Sequence, residues 1–450
     1  MVRLHFVAMF FGMIAASAHA VPASTHQAAI EAYVRPYSDT NNFWGAILAA
    51  RNGSPVFARA FGFADRERQV PNSLKTKFHI ASMSMQFTAA AALRLAMQRR
   101  LSLDTPVSRF VPELPNAQKI TVRDLLKQTS GIHDINSLPD YDAALRKHQT
   151  PSSLVEKIRA LPPRHQPGSY EGEEHSAYNL LALIIERRSG LPFARAIKRL
   201  VFDPLRMNAS GIDDDRSASP NRAAGYAPSG VKDLERAVAI HWSAKAGNGS
   251  AYTTAADELR FMRGLLSPRF LSPELRKEVF DLSSAVGFGW FKSNSNRFGG
   301  PVYSMSGRAP GFASAVIYIP HDRLFVVALS NVYASFTPTM ATDIAAILSD
   351  RPFEPLPLKT IGDAASFAGL PARFKFGPDF YQSNAVLQLG VQRGEVSITW
   401  PNGDTSPLIP VATDRFIDRA YGVPVEITRG QRGEPVGLKY DRFKGDAFAG

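Results

Sequence analysis

Phe78-His79-Ile80-Ala81-Ser82-Met83-Ser84-Met85-Gln86-Phe87-Thr88 sets a serine at the start of a helix whose long apolar segment runs from Phe87 to Gln98. Residues three apart on a helix share a face, so Met85 is expected beside Ser82. A thioether fills volume but accepts no proton at neutral pH, which leaves the Ser82 hydroxyl without a base from its own helix. The same geometry turns Ser84 away and gives it a structural reading.

Outward from this stretch, Ala177 to Arg188 is a second long apolar helical segment. Trp44-Gly45-Ala46-Ile47-Leu48-Ala49-Ala50 followed by Asn52-Gly53, and Ala313 to Pro320 followed by Leu324 to Leu329, read as hairpin strands. Strands at both chain ends with helices between them predict an α+β fold, in which one antiparallel sheet is built from the N- and C-terminal parts and accompanied by a helical region. Residues 351–358 hold Pro352, Pro355 and Pro357 and predict an extended linker. Beyond it, apolar residues alternate at Leu387, Leu389, Val391 and at Val396, Ile398, Trp400. They do so again at Val423, Val425, Ile427 and at Val436, Leu438, Tyr440. Period-two runs joined by short turns predict a small all-β domain, barrel or sandwich, over 359–450.

At the N-terminus, Arg3, the apolar run Phe6 to Ala16 and the small-x-small triplet Ala18-His19-Ala20 read as an export signal over 1–20. The first domain is then expected over 21–350 of a secreted or periplasmic protein. That run is short for a bilayer, and no later charge-free stretch has spanning length, so no membrane span is expected. The chain has no cysteine, which excludes disulfides, thiolate metal sites and a cysteine nucleophile. Its formal charge of +12 is dispersed along the chain. Dispersed charge of this kind is a solvated surface drawn weakly to anionic envelope polymers, and no nucleic-acid motif accompanies it.

Several ordered segments carry a resemblance. They are Leu101-Ser102-Leu103-Asp104-Thr105-Pro106-Val107, Ile120 to Gly131, Tyr178-Asn179-Leu180-Leu181, Phe202-Asp203-Pro204-Leu205, Gly287-Phe288-Gly289-Trp290 and Pro310-Gly311-Phe312. With Ser82 they resemble the β-lactamase-related serine hydrolases, a group that includes class C β-lactamases, D-alanyl-D-alanine carboxypeptidases and esterases, over roughly 27 to 350. The C-terminal region is similar to the lipocalin-like β-domain of some members. The resemblance implies three motifs: S-x-x-K, Y-x-N, and a strand motif K-T-G or H-x-G. Here they read Ser82-Met83-Ser84-Met85, Glu173-Glu174-His175 and Met305-Ser306-Gly307. The serine is kept, while methionine, glutamate, histidine and methionine stand where proton-handling groups are implied. The resemblance further implies an oxyanion hole from the amides of Ser82 and Arg308, and a pocket bordered by Met85, Met305, Gly307, Arg308 and Trp290.

Three functional readings follow. In the first, the protein binds a small amide, ester or peptidoglycan-like ligand with no hydrolysis, or very little. In the second it is an enzyme of changed chemistry, with Ser82, Glu173 and His175 as an acid/base set for ester or amide cleavage, cyclisation or isomerisation. In the third, the C-terminal domain is a protein-interaction module and the first domain its scaffold. The plain alternative for Glu171 to His175 is a solvated acidic loop. A metal site from Glu173, His175 and either His133 or His165 lacks a metal spacing pattern, so neither metal nor cofactor is expected. Ser130 reads as framework; Tyr226 and Trp290 read as core aromatics or pocket lining. Oligomeric state is not written in the sequence.

Overall fold

The computed structural model describes residues 23–448 except 139–140, 216–218, 357, 359–369, 393 and 402. The expected signal at 1–20 lies outside the described residues. The hairpin read around Asn52-Gly53 is present as β1 (Gly45–Arg51) and β2 (Ser54–Phe61). Both turn residues have positive φ, 52° and 76°, the twist that two-residue hairpins require. From the other end of the domain come β3 (Val286–Gly287), β4 (Trp290–Ser295), β5 (Gly300–Ala309), β6 (Phe312–Ile319) and β7 (Leu324–Ser330). They join β1 and β2 in one antiparallel sheet of order β3-β4-β5-β6-β7-β1-β2. The ends meet where Gly45 pairs with Ser330 and Arg51 with Leu324.

Strands β1 and β7 are buried on both faces, which explains their continuous apolar runs. One face is covered by α1 (Ala23–Asp39) and α4 (Thr337–Leu348), the other by the helical region containing α2 (Met85–Met97) and α3 (His175–Ser189). Both helices begin two residues earlier than the apolar periodicity indicated. That shift makes His175 the first residue of α3.

The proline-rich segment packs against the first domain: the ring of Phe353 sits edge-on to Tyr33 at 5.6 Å, and Leu358 is buried with the α1–α4 layer. Residues 372–447 form eight antiparallel strands, each paired with the next, and the last (Phe443–Ala447) closes on the first (Ala372–Phe376). The interior is filled by side chains such as Phe374, Leu387, Leu389, Ile398, Ile427 and Leu438. Val391 and Val436, at the ends of their alternating runs, are exposed.

Arg419 ties the barrel to the first domain. Fully buried, it donates from Nε to Asn42 Oδ1 (3.1 Å) and from its terminal nitrogens to the carbonyls of Asp233 (2.7 Å), Asn41 (3.2 Å) and Gly230. Burial pulls its pKa down to about 10, against the opposing charges of Glu395 and Asp233. Among the described residues no helix is long and apolar enough to cross a membrane.

Candidate active site

Ser82 lies in a 3-10 turn, Ala81–Ser84, that feeds α2. Four contacts fix this turn. Ile80 N donates to Ala251 O (3.1 Å), Ser314 Oγ donates to Ile80 O (2.7 Å), Ala251 N donates to Ser84 Oγ (3.0 Å), and Met83 N donates to Ile80 O (3.2 Å). Ser84 is thus a buried structural hydroxyl. Ala81 has φ +47°, a left-handed conformation that costs a residue with a side chain energy and tends to mark functional turns.

Strand β5 presses on the same turn. A Cβ at Gly307 would stand 2.1 Å from Ile80 O and 2.8 Å from the amide nitrogens of Ser82 and Met83, so only glycine lets the strand approach the serine.

The second half of the site comes from the start of α3. His175 Nε2 is 3.3 Å from Ser82 Oγ, and His175 Nδ1 is 3.0 Å from Asp134 Oδ2. Asp134 Oδ2 also accepts the His175 amide (3.2 Å), while Oδ1 accepts the Asn136 amide (2.8 Å). The carboxylate therefore holds the imidazole by ring and backbone together. With Nδ1 protonated toward Asp134, Nε2 carries the lone pair that faces the serine. Burial pushes the Asp134 carboxyl upward, but the hydrogen bond and charge of His175 and the two amides outweigh it and hold it below the usual range.

Glu173 stands on the other ring nitrogen, with Oε2 3.4 Å from His175 Nε2. The sequence reading grouped Glu173 with Ser82 and His175 as an acid/base set. The orienting group on Nδ1 is Asp134, and Glu173 shares the serine side of the ring.

The loop Glu171 to His175 is only partly solvated. Glu174, 1% exposed, accepts from Ser130 N (3.1 Å), Ser130 Oγ (2.6 Å) and Gly131 N (2.8 Å), while its own amide donates to Gln128 Oε1 (2.9 Å). These bonds pin the N-terminus of α3 to the segment that leads into Asp134, which is why Ser130 belongs to the framework. Lys245, beyond Asp134, donates to Tyr141 Oη (2.9 Å); burial lowers its pKa to about 8 against the opposing charge of Asp134.

A family model described as Beta-lactamase matches residues 30–349. The chain belongs to the beta-lactamase family. Among relatives of this beta-lactamase-family chain, Penicillin-binding protein 4* of Bacillus subtilis (strain 168) is 27% identical over 420 residues, 87% of this chain and 92% of that protein. The octameric penicillin-binding protein homologue from Pyrococcus abyssi superposes with a TM-score of 0.64 at 21% identity, covering 93% of this chain and 99% of that one. D-amino acid amidase from Ochrobactrum anthropi SV3, complexed with D-phenylalanine, superposes with a TM-score of 0.63 at 19% identity over 72% of this chain and 98% of that one. The two structural likenesses show the fold.

Within this beta-lactamase-family fold, Ser82, Glu173 and His175 are brought together. Met85, Met305 and Trp290 are buried in the main core and present almost no surface to a ligand. Arg308 follows Gly307 on β5, but its guanidinium is engaged elsewhere: it donates to Ala420 O of the barrel and lies over the rings of Tyr333 (5.4 Å) and Tyr421 (5.7 Å). Tyr226 is buried and donates to Glu67 Oε2 (2.6 Å). His133 meets Ser137 and His165 approaches Glu174; neither is bonded to His175. Asp134 escaped the sequence reading. Its one signal was an aspartate three residues after Thr129-Ser130-Gly131, and nothing in that spacing points to a histidine 41 positions on.

Proposed function

We propose that this chain is an ester or amide hydrolase in which Ser82, His175 and Asp134 replace a serine–lysine–tyrosine assembly. The observation that carries the reading is the continuous line from Ser82 Oγ through His175 Nε2 and Nδ1 to Asp134 Oδ2, at 3.3 and 3.0 Å. Such a constellation is recognised by geometry and roles on unrelated folds. A serine–histidine distance of 3.3 Å is ordinary for a site without substrate, since these bonds tighten as the reaction proceeds.

His175 Nε2 takes the Ser82 proton as Oγ attacks the carbonyl carbon, and the imidazolium is held by Asp134. The carbonyl electrons move to the oxygen, where the amide of Ser82 and that of Arg308 supply donors. Collapse expels the alcohol or amine, to which His175 returns the proton. Water, activated by the same imidazole, then frees the acyl group from Ser82. Glu173 places a second carboxylate 3.4 Å from the reacting Nε2.

The amidase likeness supports small amides as well as esters, and the basic, signal-like N-terminus supports an exported site of action. Met85 in the core supports the absence of lysine-dependent β-lactam turnover.

The test is p-nitrophenyl acetate hydrolysis by wild type, Ser82→Ala and His175→Ala. Turnover that collapses in both variants is expected. Turnover that survives either one would show that hydrolysis does not pass through this pair, and its absence from folded wild type returns the protein to the non-hydrolytic ligand-binding reading.

A further inference from the structure

Glu173 stands in the assembled site without a task in the mechanism. Its Oε2 is 3.4 Å from His175 Nε2, the same nitrogen that Ser82 Oγ meets at 3.3 Å. The Glu173 side chain is 36% exposed, against 14% for His175, so the carboxylate opens to solvent at the rim of the site.

What this carboxylate lacks is a donor. With the imidazole proton held on Nδ1 by Asp134, Nε2 turns a lone pair toward Oε2 and offers it no hydrogen. Among the described residues no lysine or arginine pairs with the Glu173 carboxylate. Arg164, which flanks the loop, gives its guanidinium to the backbone carbonyls of Glu173 (3.4 Å) and Glu171 (3.5 Å). A carboxylate with no cation of its own therefore stands beside the reacting nitrogen.

Its position names the part of the substrate that it meets. Nε2 returns the serine proton to the leaving atom, so that atom must come within about 3 Å of Nε2. The acyl group stays on Ser82, whereas Oε2 flanks the nitrogen that serves the leaving group. A positive charge two carbons beyond the leaving atom is carried toward this carboxylate, and their attraction strengthens as the bound ester displaces water. Tyr170, three residues earlier on the same loop, is 40% exposed. Burial and then the charge of Glu173 raise the pKa of its phenol, which puts the ring in the field of that carboxylate. Aromatic rings are the partners that recognise alkylammonium groups.

We infer that Glu173 selects esters whose leaving group is a cationic amino alcohol, and that it is a specificity-determining residue of this site. The inference rests on the hydrolase reading above. In the step it describes, the acyl carbon forms its bond to Ser82 Oγ, the bond to the leaving oxygen breaks, and that oxygen takes the proton from Nε2.

The experiment compares kcat/KM for acetylthiocholine with that for S-(3,3-dimethylbutyl) thioacetate, in which carbon replaces the charged nitrogen at the same shape. The quaternary nitrogen keeps its charge at every pH. Wild type is expected to prefer the cationic ester by about three- to tenfold at low ionic strength, the worth of a partly exposed charge pair with an aromatic neighbour. Added salt should shrink that preference. Glu173→Gln, which keeps the shape and removes the charge, is expected to bring the two values together. In parallel, Ser82→Ala protein is titrated with choline and with 3,3-dimethylbutanol, followed by ligand-observed NMR. Choline is expected to bind more tightly, and adding Glu173→Gln is expected to remove the difference.

Turnover of both esters without a preference, or a preference that survives Glu173→Gln, would overturn the assignment and leave the hydrolase reading standing. Equal binding of choline and its neutral analogue would overturn it as well. A choline preference that depends on Glu173, in a protein that turns over neither ester, would retire the hydrolase reading and keep the cation site.

Discussion

At the residue scale, the site turns on which carboxylate serves the histidine. Asp134→Asn keeps the shape but lets the imidazole adopt the wrong tautomer, so kcat should fall by about 10³ to 10⁴, as it does when the aspartate of a serine protease is so replaced. Glu173→Gln, on the serine side of the ring, should cost far less. Equal losses in steady-state ester assays would put the two carboxylates in one role.

The Asp134 pKa is held below its unfolded value, so its contribution to stability is present above that value and is lost as pH falls through the folded one. Thermal melts of wild type and Asp134→Asn should therefore converge as the pH falls into the acid range. Ser82 and His175 were legible because each stands inside a local pattern. Asp134 was not, since the partnership across 41 residues is made by the fold, where the framework bonds of Glu174 bring the two segments together. Met85 was expected beside Ser82, but its side chain is buried in the core, where helix packing outweighs the face it shares with Ser82.

At the scale of elements, α2 is anchored by a buried pair. Gln86 Nε2 donates to Glu258 Oε2 (2.9 Å), and the other oxygen of each side chain is buried with no hydrogen-bond partner among the described residues. Burial lifts the Glu258 pKa to about 8, with the hydrogen bond from Gln86 opposing and Asp257 adding. A raised carboxyl pKa means that the folded state holds the proton more tightly. This contribution is complete below the unfolded value and declines as pH rises toward 8.

The wild-type melting temperature should accordingly fall from pH 5 to pH 8.5 relative to Glu258→Gln, whose amide is neutral throughout. Parallel melting curves would mean that Glu258 is ionised at neutral pH. Helices and hairpins at this scale were readable from period and turn chemistry, as Asn52-Gly53 shows. The residue that starts a helix was less so: the first turn of α3 holds His175 and Ser176, polar residues that the apolar period does not count.

At the scale of the whole molecule, Arg419 is the rivet between barrel and first domain. Arg419→Ala would strand the carbonyls of Gly230, Asn41 and Asp233 in a buried seam, and each buried acceptor left without its donor costs about 1–3 kcal/mol. Calorimetry should show a lower melting temperature, and limited proteolysis should release the barrel first. If the variant melts like wild type, the contact contributes little to holding the two parts together. The alternating runs after residue 386 disclosed the barrel, whereas the docking did not show in sequence. Arg419 is one of many dispersed cations, and only the tertiary fold reveals that it is buried.

The central claim is that His175 activates Ser82. It is tested most directly by reacting the full chain with a fluorophosphonate and following the intact mass over time. The account predicts a single adduct, located on Ser82 by peptide mapping, that forms at least about 10² times more slowly in folded His175→Ala, in line with the worth of a positioned general base. An adduct that forms equally fast without His175, or folded wild type that stays unlabelled, would contradict it.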